Sequence, residues 1–310
     1  MAKQRVTIVE MGLRDGLQNE TVTLTPSVRL ELIQKLVNSG IRRIEIGAFV
    51  SPKWVPQMAG SGELVRSALR LQKEKRISRN IEFSALVPNE KGMIMAMETG
   101  IREIAVFASA SESFSKKNIN CNIDESFARF EPVIALAIKN KIKIRGYLSA
   151  CFGCPFEGKI SEAKVVKLAR RLRDLGCYEI SIGDTIGVAT PNQVESLFKK
   201  IKKVVPVKKI AAHFHDTRGQ ALANILAAYY LGVRTFDASV GGLGGCPYAP
   251  GAAGNVSTED VVYMFQGMGV ETGISLDHLV AMNPWLTEKI QHPLATKAGR
   301  VGKLIPSGRI

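Results

Sequence analysis

No apolar run in this chain of 310 residues approaches the roughly 20 that a membrane-spanning helix needs, so a membrane partner is not expected. Cysteine is sparse: there are five, an odd number, and only Cys151 and Cys154 stand as a C-x-x-C. With no second pair and no nearby histidine, a zinc knuckle is not expected, and a chain this large without an export signal reads as carrying reduced thiols. A Gly-rich phosphate loop is also missing. A doubly wound dinucleotide fold would place it straight after the first strand, but Met11-Gly12-Leu13-Arg14-Asp15-Gly16 stands there instead. Met1–Arg5 passes directly into the strand-like run Val6–Val9, which leaves no room for a signal or transit peptide. A cytoplasmic location is the expectation. No linker, low-complexity tract or second-domain boundary interrupts the composition.

The chain is basic, with a formal net charge of +14. A nucleic-acid binder would gather such charge on one element with interleaved aromatics. Here it is dispersed: Arg170, Arg171 and Arg173 in one helix-like stretch, Lys199, Lys200, Lys202 and Lys203 in another. Both read as solvated faces of amphipathic helices, and no nucleic-acid partner is expected. Part of the charge could attract a polyanionic cofactor such as a nucleotide thioester.

What is present is an alternation. Short β-branched runs at 6–10, 43–47, 81–86, 103–107, 143–148, 178–182, 210–215 and 235–238 are separated by helix-spaced apolar patterns such as Val28-Leu32-Leu36 and Val165-Leu168-Leu172-Leu175. Gly40, Gly100, Gly176 and Gly232 close several of those patterns, where a helix C-terminus favours glycine. Eight such βα units in one chain predict an α/β fold, a TIM (β/α)8 barrel with extra C-terminal helices. One domain spanning 1–310 is expected, with the barrel over about 5–275 and a helical extension and basic tail over about 276–310.

In a barrel the C-terminal strand ends share one mouth, where catalytic groups gather. Arg14 and Asp15 follow the first strand, Glu45 lies in the second, and Asp184-Thr185 follow the sixth. His213 and His215 end the seventh, and the period of two turns both imidazoles to one face. The eighth opens into Gly241-Gly242-Leu243-Gly244-Gly245-Cys246, with Asn255 beyond. Asp15, His213, His215 and the amide oxygen of Asn255 form a mixed N/O ligand set without thiolates, which favours Mg²⁺ or Mn²⁺. Such a cation is a Lewis acid able to hold a hydroxyl and a carboxylate. Arg14 suits a carbonyl oxygen that becomes an enolate, or an ion pair with Glu45 that ties the first two strands. Asp184 could equally cap the following helix. Cys246 on its glycine loop reads as a proton donor or acceptor, against the alternative of a buried small hydrophobe.

The runs VEMGLRDGLQNE (9–20), FVSPKWVPQM (49–58), KKNINC (116–121), GCPFEGKIS (153–161), GDTIG (183–187) and GGCPYA (244–249) resemble the 3-hydroxy-3-methylglutaryl-CoA lyases, over nearly the whole chain. The last is specific to these lyases. The Arg-Asp pair with His-x-His would also fit isopropylmalate and homocitrate synthases. The resemblance implies a divalent-metal enzyme that cleaves 3-hydroxy-3-methylglutaryl-CoA into acetyl-CoA and acetoacetate by a reverse Claisen reaction. It implies Asp15, His213, His215 and Asn255 as metal ligands and Arg14 and Cys246 as catalytic residues, with Asp184 and Glu45 as supporting acids. The base that takes the C3 hydroxyl proton is Asp184 or His213. Arg14, Gln18 and Thr185 are expected to bind substrate, a CoA thioester, and a homodimer is the expected assembly. The chain departs from many relatives at Leu13, Ala48, Phe214 and Arg218. Phe214 should point away from the metal, Ala48 would remove one substrate hydrogen bond, and Arg218 could add affinity for an anionic group. The alternatives are a lyase for a longer branched 3-hydroxyglutaryl-CoA or a related acetyl-CoA-condensing synthase.

Overall fold

The computed structural model describes residues 4–245 and 254–301. Eight parallel strands close a barrel in chain order: β1 (Thr7–Glu10), β2 (Arg43–Ala48), β3 (Glu82–Leu86), β4 (Glu103–Ser109), β5 (Lys143–Ser149), β6 (Glu179–Asp184), β7 (Ile210–Phe214) and β8 (Thr235–Ala238). Every run expected to be a strand is one, within about two residues at either end. The helices are α1 (Pro26–Asn38), α2 (Ser61–Lys73), α3 (Glu90–Met97), α4 (Glu112–Ile119), α5 (Ile123–Lys139), α6 (Glu162–Asp174), α7 (Pro191–Ile201), α8 (Ala221–Tyr230), α9 (Thr258–Gly267) and α10 (Leu276–Ile290).

Each covering helix forms because one stripe of it is apolar. In α6, Val165, Leu168, Ala169 and Leu172 are buried at the i, i+3, i+4, i+7 spacing while Arg170 faces solvent. In α7, Lys199 and Lys200 are exposed opposite Val194, Leu197, Phe198 and Ile201. Much of this surface charge is locally paired, as in Lys199 with Glu195 and Lys200 with Glu162. The dispersed basic residues are therefore solvated faces. Gly40 and Gly176, which follow α1 and α6, take φ of 98° and 97°, a conformation that costs a side-chain-bearing residue and lets the chain turn into the next strand.

The inner wall of the barrel is ionic, where branched apolar layers are the common solution. Strand alternation sends Ile44, Ile104, Ile144, Ile180 and Phe236 outward under the helices and their neighbours inward. Arg145 of β5 therefore reaches across to Asp237 of β8, at 2.7 Å to Oδ1 and 3.2 Å to Oδ2, and also pairs with Glu179 at 2.7 Å. Arg43 of β2 holds the same Glu179 through contacts of 2.9 and 3.1 Å. Fully buried charge of this kind survives only when every member is paired.

Among the described residues, the C-terminal extension carries α10 and a short helical turn at Ala298–Arg300. Ala295 and Thr296 donate their amides to Gly241 O, at 2.9 and 3.1 Å, which packs the extension under the exit of β8. No helix among the described residues is long and apolar enough to cross a membrane.

Candidate active site at the mouth of the barrel

Arg14 and Asp15 sit on a tight turn, Gly12–Gly16, that leaves β1 directly. The turn is possible because its two glycines lie against other chain. A Cβ on Gly12 would come within 2.7 Å of Glu10 Oε1, and one on Gly16 within 2.8 Å of Ser239 Oγ. In β2 the register slips between Glu45 and Gly47, and Glu45 turns its fully buried carboxylate onto Arg14 Nε. Arg14 also donates from Nη1 to Asp15 Oδ1 at 2.6 Å and lies 5.3 Å from the ring centre of Tyr147. Both readings of Arg14 therefore hold at once: it pairs with Glu45, and it lines the central cavity.

His213 is the last residue but one of β7 and His215 follows directly after the strand, with ring centres 5.2 Å apart. Their Nε2 atoms stand 3.8 and 3.7 Å from Asp15 Oδ2. Ligand atoms of Asp15, His213 and His215 all lie within 4.8 Å of one another. Asn255, bridged to His215 backbone to backbone, donates from Nδ2 to Asp15 Oδ2 at 2.9 Å and to Leu243 O at 3.2 Å. Its Oδ1 is buried and has no hydrogen-bond partner among the described residues. An orphaned buried acceptor costs roughly 1–3 kcal/mol, and a cation between it, the carboxylate and the imidazoles would satisfy it. The residues present fit a divalent ion held by N and O donors.

The electrostatics agree with that arrangement. Burial alone would raise the Asp15 carboxyl, but the Arg14 guanidinium, a hydrogen bond from His215 and the His213 imidazole hold it well below the usual carboxylate range. Asp237 is likewise lowered: burial opposes ionisation, and Arg145 with His213 more than offsets it. Two other acids brace the strand exits. Glu10 accepts from Gly12 N and Val240 N, at 2.8 and 2.9 Å, and Glu259 takes Gly241 N with both oxygens. Burial pushes Glu10 up to about 7 and Glu259, beside Glu10's charge, up to about 8. Both values exceed those of an unfolded chain, so the folded state holds extra protons and their contribution is complete only below about 4.3. It is lost as pH rises through the folded values. The thermal midpoint should therefore fall between about pH 4.3 and 8, and Glu259→Gln, which keeps one oxygen on Gly241 N without the charge, should flatten that fall. An equally steep decline in the variant would show that other groups cause it.

The remaining expected residues divide into those facing the cavity and those that do not. Gln18 and Thr185 line it, a space of about 190 Å³, with Tyr147, Ser181 and Asn118. Asp184 does not. Gly183 and Thr185 face inward, so alternation turns Asp184 the other way. Its oxygens accept Val188 N at 3.0 Å and Ala189 N at 2.9 Å. Phe214, between the two histidines, packs outward on Phe198 and Phe152, as expected. Ala48 is buried, and its amide donates to Ser61 Oγ. Arg218 donates to the carbonyls of Ile186 and Gly187, which ties the β6 exit to the β7 exit. Cys246 lies outside the described residues. The chain on either side of it is described. Gly245 lines the cavity and accepts from Asn19, and Gly254 lies tightly against Gly244. Cys151 and Cys154, both buried, are unpaired, with Cys154 accepting from Ser111 Oγ at 2.9 Å.

Sequence reasoning missed Asp237, Arg145, Tyr147 and Ser181. The signal was present: Arg43-Ile-Glu45, Lys143-Ile-Arg145, Glu179-Ile-Ser181 and Thr235-Phe-Asp237 alternate polar with apolar residues inside parallel strands. Such strands are ordinarily near-continuous hydrophobic runs.

A (β/α)8 barrel that gathers a paired guanidinium, a carboxylate, two imidazoles and a side-chain amide at its C-terminal mouth has the make-up of an enzyme. Comparison narrows the class. The HMGL-like family model matches residues 5–285, and the chain belongs to that family. It is 49% identical over 296 residues to the hydroxymethylglutaryl-CoA lyase of Pseudomonas mevalonii, covering 96% of each. It is 45% identical to the human mitochondrial hydroxymethylglutaryl-CoA lyase, covering 96% of this chain and 89% of that one. The crystal structure of hydroxymethylglutaryl-CoA lyase from Pseudomonas aeruginosa superposes with a TM-score of 0.91 at 44% identity, covering 97% and 98% of the two chains. An HMG-CoA lyase from Acinetobacter baumannii, solved with coenzyme A and 3-methylmalate, does so with a TM-score of 0.91 at 36% identity, over 97% of each chain.

Proposed function

We propose that the protein is a hydroxymethylglutaryl-CoA lyase, which cleaves 3-hydroxy-3-methylglutaryl-CoA to acetyl-CoA and acetoacetate. One observation carries this reading: Asp15 Oδ2 stands 3.8 and 3.7 Å from the two Nε2 atoms while its other oxygen holds Arg14. A cation-binding pole and a fixed guanidinium thus border a single cavity. Asp15, His213, His215 and Asn255 would hold the ion, Mg²⁺ or Mn²⁺. When bound, it would supply Lewis acidity that eases loss of the C3 hydroxyl proton and balances the free carboxylate.

The side chains supply the rest. Asp184 does not line the cavity, so the part it can play here is to brace the 184–189 turn and, through it, Thr185. His213 lines it but would give Nε2 to the ion and keeps Nδ1–H on Asp237, so the C3 hydroxyl proton leaves through the open end of the cavity. As the C3 oxygen becomes a ketone, the C2–C3 bond breaks and its electron pair passes to C2 and the thioester oxygen. Arg14, held still by Glu45, stabilises that enolate oxygen. Cys246 delivers the proton that turns C2 into the methyl group of acetyl-CoA. Gln18 and Thr185 orient the acyl group.

The cavity continues outward, past Gln18, Asn19 and Val55, into a groove of about 1230 Å³ bordered by Trp54, Lys91, Lys116 and Arg129. A basic, partly aromatic groove suits the phosphates and adenine of a CoA arm, which gives part of the +14 charge a use. The homodimer and the cytoplasmic location belong to the same reading.

Incubation with 3-hydroxy-3-methylglutaryl-CoA and Mg²⁺ should yield acetyl-CoA and acetoacetate in equal amounts, and a chelator should stop it. Free-thiol release from acetyl-CoA plus a keto acid, with no cleavage, would instead identify a condensing synthase.

A further inference from the structure

Behind His213 lies a group that the proposed chemistry does not use. His213 Nδ1 faces Asp237 Oδ2 at 3.3 Å. Asp237 is almost fully buried and is held from two further sides: Arg145 Nη2 donates to Oδ1 at 2.7 Å, and Ser181 Oγ donates to Oδ2 at 2.7 Å. Arg145, itself fully buried, is anchored from behind by Glu179. His215 has no such support, since its Nδ1 is buried without a hydrogen-bond partner among the described residues. The two imidazoles are thus unequal: one has a clamped carboxylate at its back and the other has none.

A neutral imidazole carries one proton, and the partner of one nitrogen decides which nitrogen keeps it. A carboxylate only accepts, so Asp237, at hydrogen-bond distance, places the proton on Nδ1, while the Asp15 carboxylate stands 3.8 Å from Nε2, beyond a hydrogen bond, and leaves the lone pair there. We infer that Asp237, locked by Arg145, is a positioning residue that fixes the tautomer of His213 and so makes Nε2 the single basic atom it offers to the cavity. This rests on the reading of His213 as a metal ligand. It goes beyond that reading by assigning the ligand's orientation to a residue that does not line the site's cavity.

Asp237→Asn tests the point because the shorter Arg145 contact, Nη2 to Oδ1 at 2.7 Å against Nη1 to Oδ2 at 3.2 Å, favours the amide oxygen at Oδ1, while the Ser181 hydroxyl can turn to accept from an amide nitrogen at Oδ2. The amide nitrogen then falls at the Oδ2 position. There it donates to His213 Nδ1 and forces the proton onto Nε2, which closes the ligand. Binding of Mn²⁺ alone, measured calorimetrically, should weaken about 10–100-fold, the range typical of outer-shell loss. Arg145→Met combined with Asp237→Asn frees the amide to turn its oxygen to Nδ1–H, and Arg43 still pairs Glu179. Affinity should return to within a few-fold of the parent. Equal Mn²⁺ affinity in parent and Asp237→Asn would overturn the inference, and so would equal loss in the single and double variants. A parent that binds no Mn²⁺ would overturn the metal-site reading itself, a different outcome. Nitrogen-15 histidine spectra of the metal-free protein decide the tautomer even if Asp237→Asn fails to fold. His213, assigned by its absence in His213→Gln, should show the Nδ1-protonated pattern, and the Nε2-protonated pattern would overturn the inference.

Discussion

Arg14→Met is expected to lose activity by about 10³-fold or more and to lose stability as well, and a second substitution should separate the two effects. Removing one preorganised donor from an oxyanion site typically costs about 10²–10³ in kcat, and Arg14 brings a full charge in addition. The stability loss has another source. Glu45 is fully buried, and its one named partner is Arg14. Burial already drives Glu45 upward and Arg14 is the largest force opposing it. Without Arg14 the carboxyl is stranded, and breaking such a pair from one side costs about 3–5 kcal/mol. Arg14→Met/Glu45→Gln removes the stranded charge, so the unfolding midpoint should recover while turnover stays low. If turnover recovered with the midpoint, Arg14 would be a strand tie and nothing more.

Asp15→Asn should abolish the response to divalent cations while leaving the barrel folded. Asp15 is the one carboxylate in the cluster, and its ionised form is strongly favoured. A ligand that binds only the folded state at about 100 times its Kd adds about 2.7 kcal/mol, which for a chain of this size is a rise of several degrees in Tm. The parent protein should show that rise with Mn²⁺ and lose it with a chelator, and its cleavage activity should follow. Asp15→Asn should show neither the rise nor measurable turnover. The barrel should persist because the strands are closed by backbone bonds and an apolar shell that do not include Asp15. A cation-dependent Tm rise that survives in the variant would move the ion elsewhere.

The contrast between Asp184 and Asp237 shows where sequence reasoning stopped. Both are acids at the end of a strand. Asp184 stands beside a recognisable motif and looked chemical, but its alternation with Gly183 and Thr185 turns it to the loop amides. Asp237 sits in an unremarkable four-residue strand, yet its opposite parity aims it at Arg145 and His213. Parity within a strand can be read locally. Which parity faces the barrel axis depends on where the strand begins and on its neighbours' register, and the slip at Glu45/Gly47 shows that register can shift within one strand.

The amino-acid sequence alone determined the eight-fold alternation of strand and helix, the glycines between them, and the identity of Arg14, Asp15, His213, His215 and Asn255. Each is a local matter of period, φ preference or donor chemistry, carried by a few adjacent residues. Closure decided the rest: that Glu45 locks Arg14, that one imidazole is braced and the other not, that Asp184 is spent on its own turn, and that a basic groove continues from the cavity. Apart from the local turn of Asp184, the site is made of meetings of residues distant in the chain, as in Asn255 with Asp15, 240 positions apart, which closure of the first strand on the eighth brings together.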